Sequence, residues 1–416
     1  MKPTALLIGL LLAIGLPGQV EEPKTRAGKA RALNEQGVED YKGGEYQKAV
    51  SLFEQARQLD PKNATIGRNL ARALHGRAVG KLKANELQPA TRDLERALSL
   101  DTSEPLFSVV LADVWQRRDQ NRRARTVLEK ALKRHPDSSH VFEALGRLEY
   151  REEFLTRALE CLDTAARLDP ERAKDYAKFH AKVRREAKVE KSFFKDVKGH
   201  FTVKYDDRSF SAVGTAVLDL LDKTYNRLAS DFRRWPRKPL TVVLYTRGDY
   251  DSATGAHKWT GGLFDGKIRL PVRNYRRAAR EIERTLAHEL CHWFVREMAD
   301  VRCPLWLNEG VAQLQEGKKP GGVTRRLITA ARGGDRYKKF AALPKSWAGI
   351  KDRNTVSLYY AQALHFTDFL VRRYGWSGVS DLLRALKPGV SFKKAFRSAF
   401  RWSLADAEEE WLRTLR

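Results

Sequence analysis

The chain has 416 residues, of which 42% are hydrophobic and 10% aromatic, so it can build the cores of two or three domains and is not a disordered chain. Its 78 lysines and arginines outnumber 52 acidic residues, which gives a formal net charge of +26. Such a surface attracts polyanions, or it is simply a well-solvated basic surface, and the composition leaves both open. No nucleic-acid-binding motif is present, which argues against dedicated recognition of nucleic acid.

The N-terminal segment, residues 1–20, is typical of a secretory signal peptide. Lys2 precedes an apolar run from Ala5 to Leu16, and Pro17 and Gly18 end that run. The run is short for a membrane span, but it has the length of a signal-peptide core. We therefore expect an exported protein, periplasmic or secreted. An uncleaved N-terminal membrane anchor is the alternative, and no other membrane span is expected.

Residues 28–170 contain four segments that end alike. They end at Pro61, Thr102, Pro136 and Pro170, so each of the last two intervals is 34 residues. The first interval is 41 residues, which predicts a longer first helix or turn in the second repeat. Alanine recurs at two fixed positions before these endings, at Ala49, Ala90, Ala124 and Ala158 and again at Ala56, Ala97, Ala131 and Ala165.

This pattern resembles the tetratricopeptide repeat, in which two antiparallel helices pack closely where their side chains are small. Gly37 and Gly146 occupy such a position in the first helix of two repeats. The resemblance implies an all-α solenoid with a concave surface that binds a protein partner. Residues 171–197 are rich in Lys, Arg and Glu and are interpreted as a charged capping helix and linker.

From residue 198 to residue 416 the pattern changes to that of an α+β domain. Segments with alternating or short apolar runs, which indicate strands, are now combined with long amphipathic segments, which indicate helices. The predicted strands cover 200–206, 240–246 and, as a hairpin and strand, 261–272, and the predicted helices cover 210–232 and 275–299.

The second of these helices contains the stretch LAHELCHWFVREM, residues 286–298. His288 and His292 lie one turn apart on one helix face, so both imidazoles can reach a single Zn²⁺ ion at about 2.0–2.1 Å. Glu289 is rotated off that face, where it can take a proton from a water activated by the metal. The motif is short, and an ordinary helix with two histidines is the alternative.

A third ligand is predicted in the segment WLNEG, where Glu309 follows His292 by 17 residues. A turn over 300–304 separates the two helices, so the second helix can bring Glu309 back to the first. Two histidines, one glutamate and a water form the coordination set of hydrolytic zinc sites. Glu316 lies two turns further on and is predicted to be too far along the helix axis to bind the metal.

HELCH followed by WLNEG resembles the gluzincin zinc metallopeptidases, and best their peptidase MA-like branch, which often carries tetratricopeptide repeats. The resemblance covers residues 198–416 and implies a thermolysin-like fold. It implies that His288, His292 and Glu309 bind Zn²⁺ and that Glu289 is the catalytic base. It also implies an edge strand, Lys267–Leu270, that pairs with extended substrate.

The resemblance further implies a phenol that faces the oxyanion, and Tyr360 is the better match, with Tyr359 as the second choice. A core tyrosine without a catalytic role is the alternative. Zinc aminopeptidases resemble one another in a Gly-x-Met-Glu-Asn segment, whereas Met1 and Met298 are the only methionines here and neither lies in such a segment. We therefore expect an endopeptidase.

The sequence thus predicts a zinc metallopeptidase that acts on a peptide or protein substrate. An inactive scaffold is one alternative, and the intact motif argues against it. A zinc hydrolase of cell-wall amide bonds is the other, and the basic surface keeps it open. His257 and His365 could approach the site. Cys291 and Cys303 either form a disulfide or are buried thiols.

Overall fold

The computed structural model describes residues 25–206, 211–254, 263–272, 275–333, 337–347, 350–386 and 389–415, so the predicted signal segment lies outside the described residues. The chain divides between Arg184 and Arg185 into two compact units. None of the helices within these ranges combines the length and the hydrophobicity that a bilayer-spanning segment requires.

The first unit is a run of helices in antiparallel pairs, as the repeats predict. Its helices are α1 Arg26–Lys42, α2 Tyr46–Leu59, α3 Ala64–Lys83, α4 Leu87–Leu100, α5 Pro105–Arg117, α6 Asn121–Arg134, α7 Ser139–Arg151, α8 Leu155–Leu168 and α9 Pro170–Val189, which continues past the division. The longer second repeat is explained by α3, which has 20 residues where α5 and α7 have 13.

Small residues allow the two helices of each pair to pack closely. The eight recurring alanines are all at most 2% exposed. A Cβ atom at Gly146 would lie 2.8 Å from Leu162 Cγ, and one at Gly37 would lie 2.8 Å from Phe53 Cε1. Atoms at such distances overlap, so these two positions require glycine for the observed spacing.

The second unit contains a small mixed sheet followed by helices. Its elements are β1 Phe194–Lys198, β2 Phe201–Tyr205, α10 Ser211–Phe232, β3 Leu240–Tyr245, α11 Arg247–Thr254, β4 Leu263–Phe264, β5 Ile268–Pro271, α12 Tyr275–Ala299, α13 Leu305–Gln315, α14 Gly322–Ala331, α15 Arg353–Ala385, α16 Phe392–Phe400 and α17 Leu404–Arg413. The strand order is β1-β2-β3-β5-β4, in which β2, β3 and β5 are parallel and the two outer strands are antiparallel to their neighbours.

The two faces of this sheet carry different side chains because strand residues alternate in direction. Val203, Val242 and Ile268 on one face are fully buried in the main core, which includes residues of α10 and α12. The opposite face carries charged residues, of which Arg269 is 0% exposed and lies 2.8 Å from Glu186, near the end of α9. The pairing offsets the large cost of burying these charges.

Two sequence expectations differ from this arrangement. The segment 171–197 is not only a helix and linker, because α9 ends at Val189 and β1 begins at Phe194. Lys267–Leu270 is not an edge strand, because β5 lies between β3 and β4. The strand at that edge of the described sheet is Leu263–Phe264, which a pattern of only two residues could not reveal.

Candidate metal centre

The two histidines of the motif lie in the middle of α12. The side chains of His288 and His292 are 17% and 13% exposed, and their ring centroids are 4.7 Å apart. The opposite side of the same turns is held in the core, where Leu290 and Phe294 are fully buried. Because the core fixes that side of the helix, both imidazoles face the same point next to it.

Helix α13 brings Glu309 to these histidines. After α12, Asp300 adopts a left-handed conformation (φ 53°), and the short 3₁₀ turn Asp300–Arg302 reverses the chain. Glu309 Oε2 then lies 3.6 Å from His288 Nε2, and its Oε1 lies 3.8 Å from His292 Nε2. The structure therefore brings the three predicted ligands together.

The cluster has dimensions that suit a metal ion. One ligand atom from each of the three residues lies within 4.8 Å of the others. Metal–ligand bonds of about 2.0–2.2 Å in a tetrahedral arrangement separate two ligand atoms by roughly 3.3–3.5 Å. The two distances from Glu309 to the histidines exceed this by a few tenths of an ångström, and the widest separation within the cluster is at most 4.8 Å, so the side chains must move closer together to bind an ion. No other group of three potential metal ligands was found among the described residues.

The second ring nitrogen of each histidine has an oxygen neighbour. His292 Nδ1 lies 2.9 Å from Asn308 Oδ1, and since an amide oxygen only accepts, the imidazole donates and its Nε2 is left free for a metal. His288 Nδ1 lies 3.1 Å from Glu316 Oε2. Such contacts orient the ligands of metal sites and raise their basicity.

The contact of Glu316 revises its predicted role. The sequence argument is that two helical turns carry this residue beyond reach of the metal, and Glu316 is not part of the three-ligand cluster. The side chain nevertheless reaches the far nitrogen of His288, and its other oxygen is 2.5 Å from Lys318 Nζ. The heptad spacing places Glu309 and Glu316 on one face, which is the signal that could have revealed this second role.

The charges of the cluster are strongly coupled. Burial lowers the pKa of His288, but the carboxylates of Glu309 and Glu316 outweigh burial and raise that pKa to about 10. Burial raises the pKa of Glu309, and the neighbouring histidines more than reverse this and hold it below its ordinary value. The cluster thus holds a proton that a metal ion would displace on binding.

Glu289 lies beside the cluster in an environment suited to proton transfer. The residue is 7% exposed, and burial, helped by Glu309 and Glu316, raises its pKa to about 7. The backbone N–H of Phe264 in β4 hydrogen-bonds its carboxylate. A carboxylate with a pKa close to the working pH can both accept and return a proton.

The two tyrosines of α15 have different surroundings. Tyr359 is 2% exposed and belongs to the core, whereas Tyr360 is 36% exposed. Burial raises the pKa of Tyr360, and the carboxylates of Glu309 and Glu289 raise it further, so its phenol lies within their field. The ring of Tyr360 packs edge-on against Trp347 at 4.8 Å, which holds it on this side of the helix.

Gly310 sets the position of Glu309. A Cβ atom at Gly310 would lie 2.1 Å from Thr367 Oγ1 and 2.5 Å from the backbone oxygen of Ala363, both in α15. Helices α13 and α15 therefore touch at this residue, next to Glu309, the third predicted ligand. The Asn-Glu-Gly string thus combines a residue that contacts His292, a predicted ligand and a contact point between helices.

The remaining candidates from the sequence are two histidines and two cysteines. His365 Nδ1 accepts a hydrogen bond from Trp411 Nε1 at 3.0 Å, which gives it a structural partner. His257 lies outside the described residues. Cys291 and Cys303 are free thiols here, and Cys291 is fully buried.

Comparison with known proteins identifies both parts of the chain. Residues 222–416 match the Peptidase MA superfamily, and residues 30–63 and 109–173 match tetratricopeptide repeats. The chain therefore contains a Peptidase MA superfamily domain preceded by a tetratricopeptide repeat region, and this repeat region is a helical solenoid. The first match suggests a protease, and the second suggests binding of a protein partner. No curated protein matches the chain.

Solved structures resemble this chain only in part. MamA (residues 41 to the end) from Desulfovibrio magneticus RS-1 has 17% identity, with 38% of this chain and 93% of that chain covered and a TM-score of 0.29. YrrB, described as a TPR protein with an unusual peptide-binding site, has 19% identity, 38% and 77% coverage and a TM-score of 0.30. A thermophilic TPR protein from Thermus thermophilus has 18% identity, 37% and 98% coverage and a TM-score of 0.24.

Proposed function

We propose that the second unit is a zinc-dependent peptidase of the gluzincin type. The observation that carries this proposal is the convergence of His288, His292 and Glu309 with a buried glutamate, Glu289, directly beside them. Nitrogen and carboxylate ligands of this kind suit zinc, and three protein ligands leave a position open for water or substrate. The Peptidase MA match over the same residues supports the reaction class.

A zinc ion in this site would supply Lewis acidity to a scissile carbonyl and to the attacking water. Glu289 accepts the proton of that water and later delivers it to the leaving amine, for which its raised pKa is suited. Tyr360 donates its phenolic hydrogen to the oxyanion of the tetrahedral intermediate. The hydrogen bond from His292 to Asn308 and the ion pair of His288 with Glu316 orient the two imidazoles during these steps.

We further propose that the substrate binds in extended form beside β4. This strand lies at an edge of the described sheet, and its Phe264 contacts Glu289 directly. Backbone pairing along an edge strand holds a peptide without strict side-chain requirements. Such a mode suits an endopeptidase, and the repeats would deliver or recruit the protein substrate. Export of the enzyme stays a proposal based on residues 1–20.

The decisive experiment compares Glu289→Gln with Glu283→Gln, a glutamate of the same helix whose side chain is 44% exposed. The wild-type protein should bind about one zinc ion per chain and cleave internal bonds in a library of N-acetylated peptides. Glu289→Gln should keep its zinc and lose cleavage, whereas Glu283→Gln should keep both. Mass spectrometry of the digests and metal analysis of the same samples provide the two measurements.

The outcomes separate the alternatives. Zinc binding without cleavage of any peptide, but with hydrolysis of cell-wall fragments, would identify an amide hydrolase of another kind. A protein that binds no zinc and cleaves nothing would be a scaffold. Cleavage that persists in Glu289→Gln would reject the assigned base.

A further inference from the structure

The loop between α10 and β3, residues 233–239, has an unusual composition. Its sequence is RRWPRKP, with four cationic residues, one tryptophan and no acidic residue. Trp235 is 56% exposed, and no other tryptophan of the described residues is classed as exposed. A single exposed apolar side chain is common on protein surfaces, but here the indole lies within a run of cations, so the loop combines apolar surface with positive charge.

The base of the loop is firmly held, which leaves Trp235 to project from it. The backbone N–H of Arg234 donates to the carbonyl of Ala229 at 3.0 Å. The hydroxyl of Tyr225 donates to the carbonyl of Pro236 at 2.9 Å, and Pro236 itself is buried. A fixed loop keeps its exposed side chains in place and loses little entropy when they bind a surface.

The cations of the loop are largely unneutralised. Lys238 Nζ lies 3.0 Å from Glu297 Oε2. Arg233, Arg234 and Arg237 are exposed, and the structure shows no ion pair between any of them and another described residue. Three exposed arginines without an ion pair to a described residue therefore flank one exposed tryptophan in the sequence.

We propose that this loop docks the protein on an anionic lipid bilayer. Tryptophan prefers the headgroup level of a membrane, and arginines on both sides of it attract anionic headgroups. A nucleic acid fits the loop less well, because single strands are bound along grooves in which several aromatic side chains stack on successive bases. Here one indole projects from a short turn. The proposal does not depend on the proposed peptidase activity.

The test uses the full-length protein and sedimentation with vesicles. Vesicles of phosphatidylglycerol and phosphatidylcholine are compared with vesicles of phosphatidylcholine alone, and the readout is the ratio of the two partition coefficients. This ratio cancels any binding through a hydrophobic N-terminus, because such binding contributes equally to both vesicle types. The wild-type protein should prefer the anionic vesicles, and high salt should reduce that preference.

Two loop variants and one matched control test the residues. Each cation near an anionic surface contributes about fivefold to binding, so Arg234→Gln/Arg237→Gln should lower the ratio by roughly 25-fold. The control Arg325→Gln/Arg326→Gln removes two exposed arginines from α14, with exposed Leu327 beside them, and should change the ratio less than about twofold. The control and the loop variant have the same net charge. Non-specific attraction between the protein's positive charge and the anionic vesicles would therefore decrease equally in both.

The variant Trp235→Ala should lower this ratio by roughly tenfold, because the apolar contact with the interface forms where anionic headgroups hold the loop against the bilayer. Thermal unfolding of every variant checks that the fold is kept, and the tryptophan and arginine variants test the loop independently. Equal losses in the loop and control arginine variants would overturn the proposal, as would an unchanged ratio in Trp235→Ala. A single-stranded oligonucleotide that binds the loop more tightly than the vesicles do would also overturn it.

Discussion

A methyl group added at Gly310 should disturb both the fold and the metal centre. In Gly310→Ala the new Cβ would start 2.1 Å from Thr367 Oγ1 and 2.5 Å from the carbonyl oxygen of Ala363. The threonine can rotate, but the carbonyl belongs to the backbone of α15. Restoring a normal contact distance of about 3.5 Å therefore requires α13 and α15 to separate by roughly 1 Å.

The size of the effect follows from this geometry. Overpacking of this kind costs about 1–3 kcal/mol, and the better helix propensity of alanine returns at most about 1 kcal/mol. We expect a net loss of about 1–2 kcal/mol, which corresponds to a decrease in Tm of roughly 2–8 °C for a unit of this size. A shift of roughly 1 Å in neighbouring Glu309 also exceeds the tolerance of about 0.2 Å of metal–ligand distances, so zinc affinity should fall at least about tenfold.

Gly248→Ala is the matched control, because a Cβ at Gly248 in α11 meets no atom within 4 Å. This variant should unfold at or slightly above the wild-type temperature and bind zinc normally. The measurements are calorimetric unfolding of the metal-free protein and competition for zinc with a chelator. A Gly310→Ala protein with unchanged Tm and unchanged zinc affinity would refute the close packing of the two helices.

Three further predictions follow from the same structure. Glu316→Ala should lower zinc affinity about 10–100-fold, because His288 loses the carboxylate at its second nitrogen, and chelator competition measures this. Tyr360→Phe should lower kcat about 10²–10³-fold at unchanged zinc content, whereas Tyr359→Phe should not. Burial lowers the pKa of His75 to about 4, so the unfolded chain binds its proton more readily. The contribution of His75 to the free energy of unfolding is present above pH 6.5 and is lost as the pH falls towards 4. In His75→Gln the free energy of unfolding, measured with urea, should therefore decrease less over this pH range.

Each of these predictions has a clear contrary result. Normal zinc affinity in Glu316→Ala would mean that its contact with His288 does not support the ligand. Full activity in Tyr360→Phe would show that Tyr360 does not stabilise the oxyanion. If only Tyr359→Phe lowered kcat, the role would belong to Tyr359. If the free energy of unfolding of His75→Gln depended on pH as it does in the wild-type protein, groups other than His75 would control that dependence.

Much of the candidate site could be predicted because its spacing is local. One turn of an α-helix separates His288 from His292 in any protein, so the sequence alone predicts that the two imidazoles share a face. The repeats are predictable for a similar reason. A 34-residue period repeats the same contact between neighbouring helices, and the alanines and glycines that permit this contact recur with it.

Contacts between distant segments could not be predicted in this way. The contact of Glu316 with His288 depends on how α13 crosses α12, and the helix spacing by itself indicates only a shared face with Glu309. The identity of the edge strand depends on strand order, which placed β4 rather than β5 at the edge. Likewise, Tyr359 and Tyr360 are adjacent and chemically identical, and only packing buries one and exposes the other.

The sequence by itself therefore determined the repeat region, the order of helices and strands, and three potential ligands with a glutamate beside them. The tertiary structure decided which groups surround those ligands and how their protons are held. The physical reason is that hydrophobic periodicity and helical spacing act over a few residues, whereas burial and charge coupling depend on every segment that reaches the same point in space. The pKa of Glu289, raised to about 7 by burial and by Glu309 and Glu316, is a property of that convergence.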